Sequence, residues 1–549
     1  MCWWRRLAPI LLSVRLWALI SASQVPLTPS VDTSPRAWHS RPWNERLSED
    51  ATGNLVFQSL ASLLQMMPNS KYPIGHSIAR AIIPKGTVLH HGRFLRGCPS
   101  MDWIAFDLEH SMMFAFGTNG TLLTYIATRD LQLVYFDGCS GNKYGGVGDT
   151  QDILIWGEPG RTGDPGSPWR HEIDRIVDGC AWARQYGIDG FLRMEFDFEV
   201  MYCDFSQGLE LVSTMSSVNS LADLDPSSPF PTPSDASRSE DDLSAPPWQD
   251  RLPRGQCTPE ATIHGLTHNQ LDKENGLLRD QLVDDPRSYP KGWKGALPDL
   301  DIEGFNAGTW HNQFPGEVRV RVDPASMFSF YDPALTSLVE ARRTMARDEY
   351  RPGNISQADI AHVRADIAEV MTRNSSATSG VDWEALARVI QDRFSGRLPY
   401  VRHLLHQPVT NVTERLARVR RQLVVSLIPY MHREDIGEPA WFPRIARDCA
   451  ARFTGHLPRA EFTKQERVLH HAVEEVLHEI CRVYTEAWVD AFDAEEKSAD
   501  VVRGYLEKWR GEFDSLVDWL DWPVWIKCEP ACGVDVSASC VGYRSMRLT

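Results

Sequence analysis

Gly190-Phe-Leu-Arg-Met-Glu-Phe-Asp-Phe-Glu-Val-Met-Tyr-Cys-Asp-Phe205 decides the fold. Apolar residues recur at every second position from Met194 to Tyr202, the period of a strand with one face in a core, so the stretch predicts one long strand. On that period Glu195, Asp197 and Glu199 share the other face at intervals of about 7 Å. Acids so placed perturb one another's pKa and can serve as acid, base or cation ligand. Acids also disfavour strands, which makes these three the candidate catalytic residues; the competing reading is a solvated sheet face.

Before this stretch, Pro168 opens a helix in which Ile173, Ile176, Val177 and Cys180 share a face, and Gly187 closes it as a left-handed cap. Further back, short β-type runs alternate with turn signals: Thr87 to His91, Trp103 to Phe106, Leu122 to Ala127, Leu131 to Phe136 and Ile153 to Trp156. Asn54 can cap a helix through Leu55, Phe57, Leu60, Leu63 and Leu64 that Pro68 stops. These elements predict an α+β domain over residues 51–213.

After it, residues 214–262 are rich in Ser, Pro and Asp and read as a disordered insertion, followed by a connector over 263–330. From Asp332, with Pro333 at the first helical position, the texture is helical. Ser356 with Asp359 and Thr463 with Glu466 have the spacing of N-terminal caps. The fold class is therefore α+β, an N-terminal mixed α/β-sheet domain followed by a C-terminal α-helical bundle over 331–527, with a Cys-containing tail at 528–549. Trp519, Trp522 and Trp525 just before that tail read as a lid on the bundle or as a sugar-stacking surface.

Arg5 and Arg6 precede the apolar run Leu7 to Ile20, and small residues follow at 21–23, the pattern of a secretory signal peptide over 1–23. A Pro-, Ser- and Thr-rich leader over 24–50 comes next. Removing the signal takes away Arg5, Arg6 and Arg15 and moves the formal charge from −16 to about −19, which disfavours nucleic acid as a partner. No later stretch is apolar enough for a stable membrane span, so secretion to the extracellular side is expected. Ten cysteines outside the signal predict a few disulfides whose pairing spacing does not fix, and Asn119, Asn354, Asn374 and Asn411 are glycosylation sequons.

His90-His91-Gly92-Arg93 ends a predicted strand, and its glycine lets a ligand approach the backbone; His91 and Arg93 are candidate substrate-binding residues. The loop Gly138 to Gly148, followed by Asp149 and Asp152, reads as a lid or a long turn and lacks the phosphate-binding spacings. No metal-ligand set is predicted. His471, Glu475 and His478 fall on one helix face away from the apolar stripe, and Arg415, Arg418, Arg420 and Arg421 read as another wet face. The elbow of serine esterases, the zinc helix of metalloproteases and the cysteine-protease signature are missing.

At Gly86 to Arg93, Trp103 to Ser111, Leu131 to Asp137, Gly187 to Glu199 and Trp519 to Cys532 the chain resembles a family of uncharacterised secreted fungal proteins, which implies no activity. Over about residues 80–213 it is also similar to the ADP-ribosyltransferase fold: His91-Gly92 resembles the first-strand His-Gly that holds the nicotinamide ribose, Ile104 to Asp107 the second strand, and Glu195 to Glu199 the terminal acidic strand. Ala105 stands where one branch has Tyr, and Asp197 lies between the acids. That likeness implies NAD as a substrate; the residues themselves name no cofactor. The expectation is an enzyme, a transferase or hydrolase acting on a ribose or sugar glycosidic bond at the acidic strand, with Glu195 or Glu199 as the acid that orients or activates the sugar, Asp197 assisting and His91 binding hydroxyls. The alternative is a non-catalytic secreted interaction protein that uses the Trp-rich end.

Overall fold

The computed structural model describes residues 42–525 except 94–96, 116–119, 143–144, 161–167, 196, 217–307, 313, 375 and 409–410. The signal, most of the leader, Asn119, the insertion from 217 and the cysteine tail lie outside the described residues.

Among the described residues nine strands build one sheet: β1 (Ser77–Ile83), β2 (Val88–Arg93), β3 (Asp102–Ala105), β4 (Thr121–Ala127), β5 (Leu131–Phe136), β6 (Gly190–Met194), β7 (Phe198–Tyr202), β8 (Leu209–Ser216) and β9 (Arg321–Ser329). Their order is β8-β4-β2-β3-β7-β6-β5-β1-β9. Among the described strands only β5 and β6 pair in parallel, and a parallel step needs a crossover. Among the helices α1 (Gly53–Ala61), α2 (Met66–Lys71), α3 (Leu108–Met112), α4 (Asp149–Trp156) and α5 (Pro168–Ala183), the last two supply it. Ile153, Leu154, Ile176 and Cys180 pack on Val134, Phe136, Phe191 and Met201 of one sheet face. A Cys180–Cys203 disulfide ties α5 to the chain just past β7.

Two strand expectations are corrected. Ile153 to Trp156 forms the end of α4, closed by Gly157 at φ 73°. A short run buried on every side carries no period that separates helix from strand. The decisive stretch is a hairpin, not one strand: Met194 pairs with Phe198, and at the turn between them the Glu195 amide donates to the Asp197 carbonyl at 3.0 Å. The Asp197 Oδ1 accepts the Phe198 amide at 2.7 Å, a side-chain cap of the kind that draws Asp into turns. The sheet also outgrows the expected 213 boundary, since β8 ends at Ser216 and β9 comes from the connector.

The C-terminal helices are α6 (Thr336–Arg342), α7 (Gln357–Thr372), α8 (Trp383–Ser395), α9 (Arg397–His406), α10 (Val412–Leu427), α11 (Trp441–Ala451), α12 (Lys464–Ala491) and α13 (Ala499–Leu520). Two predicted caps form: the Ser356 side chain accepts the Asp359 amide, and Thr463 and Glu466 cap reciprocally. Two do not: α1 starts at Gly53, which puts Asn54 inside it, and α6 starts at Thr336, past Asp332 and Pro333. A Cys449–Cys481 disulfide joins α11 to α12. One apolar core runs from the other sheet face, through Leu89, Ile104, Leu192 and Val200, across α1 and into α12 and α13. Continuous burial explains a further correction: Glu475 and His478 are not solvated, because the Gly53 amide donates to Glu475 Oε2 at 2.8 Å and His478 Nε2 meets the Glu45 carbonyl at 2.7 Å. Arg415 is buried too and holds the carbonyls of Leu404, Gln407 and Pro408. Among the described residues no helix is long and apolar enough to cross a membrane.

Asp137, just past β5, accepts the amides of His76 and Ser77 at 2.7 and 2.6 Å, yet burial pushes its carboxyl up to about 6. A raised folded pKa means that the fold favours the protonated form, so this contribution is complete below about 4 and is lost as pH rises through 6. Comparing urea midpoints at pH 4 and pH 7, the wild-type chain should lose on the order of 2 kcal/mol more than Asp137→Asn.

Candidate active site at the turn between β6 and β7

Register aligns the site. Thr124, His90, Ala105, Glu199 and Arg193 pair in turn across β4, β2, β3, β7 and β6, so their side chains share one sheet face. Arg193 lies under α5, and its Nε donates to Glu199 Oε1 at 2.8 Å while Nη2 donates to Glu172 Oε2 at 2.6 Å. Glu172 also pairs with Arg175, which reaches Asp152 at 2.7 Å. Every member is buried, so these charges are compensated by each other and not by water.

His110 of α3 approaches the other side of Glu199, with Nε2 3.8 Å from Oε2. Helix α3 can sit there because β2 has Gly92: a Cβ on it would lie 1.6 Å from the Ser111 carbonyl oxygen. His110, Glu195 and Glu199 each place one donor atom within 4.8 Å of the others. Glu195 is half-buried and is the outermost of the three. The glycine-rich loop forms a wall beside it: the Gly141 amide donates to the Met194 carbonyl at 2.7 Å, and a Cβ on Gly141 would approach Glu195 to 3.1 Å. Cys139, Ser140 and Val147 of that loop are buried, so its described part is packed and not a free lid.

A second group lies across the turn beside Phe198 and Phe106, whose rings belong to the opposite core. His311 Nε2 is 3.5 Å from Asp107 Oδ2, 3.5 Å from Asp197 Oδ1 and 3.1 Å from Glu317 Oε2. Arg319 contacts Asp107 at 3.1 Å and Glu317 at 2.7 Å. Burial first, and the neighbouring Asp107 second, push the Asp197 carboxyl well up. Asp107, against its own partial burial, is held below the usual carboxylate range by His311, Asp197 and Arg319. Burial lowers the nearby His90 to about 4.

The three acids do not share one face. Glu195 and Glu199 meet His110, whereas Asp197 turns to His311. His91 is not with them: it pairs toward Ile104 on the opposite face, where Nδ1 meets the Trp103 carbonyl at 2.6 Å and its ring edge contacts Phe205. Arg93 follows on that same side and donates to the Gly97 carbonyl at 3.1 Å. The Trp-rich end is packed: Trp522 is buried against Phe57, and Trp525 donates to the Ser395 carbonyl at 2.7 Å. Asn354, Asn374 and Asn411 are exposed, and Asn411 caps α10 through Oδ1. Sequence reading missed His110, Asp107, Glu172, His311, Glu317 and Arg319. The close spacing of Asp107 and His110 after a strand was a usable signal; of the others, Glu172 lies 21 positions from Arg193, and His311 and Arg319 lie 204 and 212 positions from Asp107.

A family described as the YPL277C N-terminal domain matches residues 46–121 and 116–240, most of the sheet region. The uncharacterized protein YOR389W of Saccharomyces cerevisiae is 25% identical over 441 residues, covering 69% of this chain and 63% of its own length. The uncharacterized protein YPL277C of the same yeast is 26% identical over 412 residues, covering 64% of this chain and 75% of its own length. The chain thus spans less than two thirds of the first relative. No solved structure matches it. Through its sheet region and beyond, the chain is similar to a family of uncharacterised fungal proteins.

Proposed function

We propose that the chain is a secreted glycoprotein enzyme, a hydrolase or transferase acting on a sugar or ribose glycosidic bond at the turn between β6 and β7. The observation that carries this reading is the carboxyl pair of Glu195 and Glu199, with oxygen atoms within 4.8 Å of each other, one half-buried and one fixed by Arg193. Carboxyl groups this close suit a retaining displacement better than an inverting one, which needs room for a water between them. Glu195 is the proton donor to the leaving oxygen and then the base for the incoming hydroxyl. Glu199 opposes the positive charge that develops at the anomeric carbon, and Arg193 with His110 sets its position. The alignment of His90, Ala105 and Glu199 across β2, β3 and β7 supports a ribose-binding version of the site, with NAD as the donor and His90 in the place expected for His91; there nicotinamide takes the bonding pair and leaves as a neutral base without a proton, and Glu195 acts only as the base for the incoming hydroxyl.

The test is product analysis after incubating the full chain with aryl glycosides and, separately, with NAD. Release of the aglycone or of nicotinamide is expected, unchanged in His91→Gln and lost in Glu199→Gln. No product from either donor, or equal turnover by Glu199→Gln, rejects the reading.

A further inference from the structure

We propose that Asp107, Asp197 and His311 hold a divalent first-row transition cation, Mn2+ or Zn2+, across the turn from Glu195 and Glu199. This does not rest on the glycosidic reading. The imidazole nitrogen has three carboxylate oxygens around it at 3.1 to 3.5 Å. One N–H satisfies one acceptor, and two of these separations are at the limit of a hydrogen bond. Asp107, Asp197 and His311 each place one donor atom within 4.8 Å of the others, which brings all three within reach of one ion.

Asp197 supplies an independent sign. It is fully buried, its Oδ1 accepts the Phe198 amide, and its Oδ2 receives no N–H or hydroxyl donor and faces the Asp107 carboxyl. Two buried acids in contact require a proton or a cation between them, and His311 beside them supplies a third ligand for a cation. Arg319 binds both oxygens of Asp107, the outer contact that orients a ligating carboxylate, and ties it to both oxygens of Glu317. One imidazole with carboxylates suits Mn2+ or Zn2+, whereas Ca2+ and Mg2+ prefer oxygen alone. Gly308 leaves room at the site, since a Cβ on it would stand 3.3 Å from the Asp197 carboxyl carbon.

The experiment uses the full secreted chain purified without chelators. Its metal content is measured by plasma mass spectrometry, and the chelator-stripped protein is titrated with Mn2+ and with Zn2+ by calorimetry. One ion per chain is expected, bound at least 100-fold more weakly by Asp197→Asn and by His311→Gln and equally well by Glu195→Gln. Because buried variants can misfold, wild-type protein carrying 15N-histidine is also loaded with Mn2+ and examined by pulsed electron spin resonance. A coupling to one imidazole nitrogen is expected. Absence of saturable binding, a carboxylic-acid infrared band that Asp197→Asn removes at full metal load, no nitrogen coupling, or binding lost only in Glu195→Gln would overturn the site.

Discussion

Arg193→Met is expected to destabilise the folded chain by about 4 kcal/mol, read as a fall in the urea midpoint. The methionine fills much of the same volume, so the loss is electrostatic: Glu199 and Glu172 remain buried, each without its 2.8 or 2.6 Å partner. Arg175 still neutralises part of Glu172, which keeps the effect below total unfolding. The control is Arg129→Met. That guanidinium pairs with Asp189 at 2.6 Å but is 47% exposed, so its loss should cost under about 1 kcal/mol. Equal effects at the two positions would mean that the network under α5 is hydrated and not the buried scaffold of the site.

Glu195→Gln is expected to lower kcat/KM by 10²- to 10⁴-fold, the range for removal of a positioned acid or base. Its stability should change far less than that of Arg193→Met, because Glu195 sits in the turn and half in solvent. Glu199→Gln should lose both activity and stability, since it removes the charged partner of Arg193 as well as the carboxylate at the reacting centre. Melting curves recorded beside the kinetics separate the two cases. If Glu195→Gln kept full turnover, the acid would have to come from elsewhere.

The acids of residues 195–199 were legible because three carboxylates on a β-type stretch break a local rule. Their arrangement was not. Alternation placed them on one face, but Asp197 caps the turn and sends Glu195 and itself to different neighbours. The helices of residues 331–527 were legible from caps such as Ser356 and Thr463, which act within four residues. Burial of Glu475 was not, since it depends on Gly53, 422 positions away. The same distance effect hid His311 and Glu317: nothing local distinguishes them until β9 closes the sheet edge and brings the connector onto the turn. His91 was chosen over His90 by its neighbouring glycine, whereas register gives the site face to His90.

The most direct measurement of the central claim is covalent mapping with an epoxyalkyl glycoside, which esterifies a carboxylate held at a sugar-binding centre. Peptide mass spectrometry of the labelled chain should find one ester, on Glu195 or Glu199, formed at a rate that excess free sugar suppresses. An ester on a carboxylate away from the turn between β6 and β7, or no ester at all, would contradict the account.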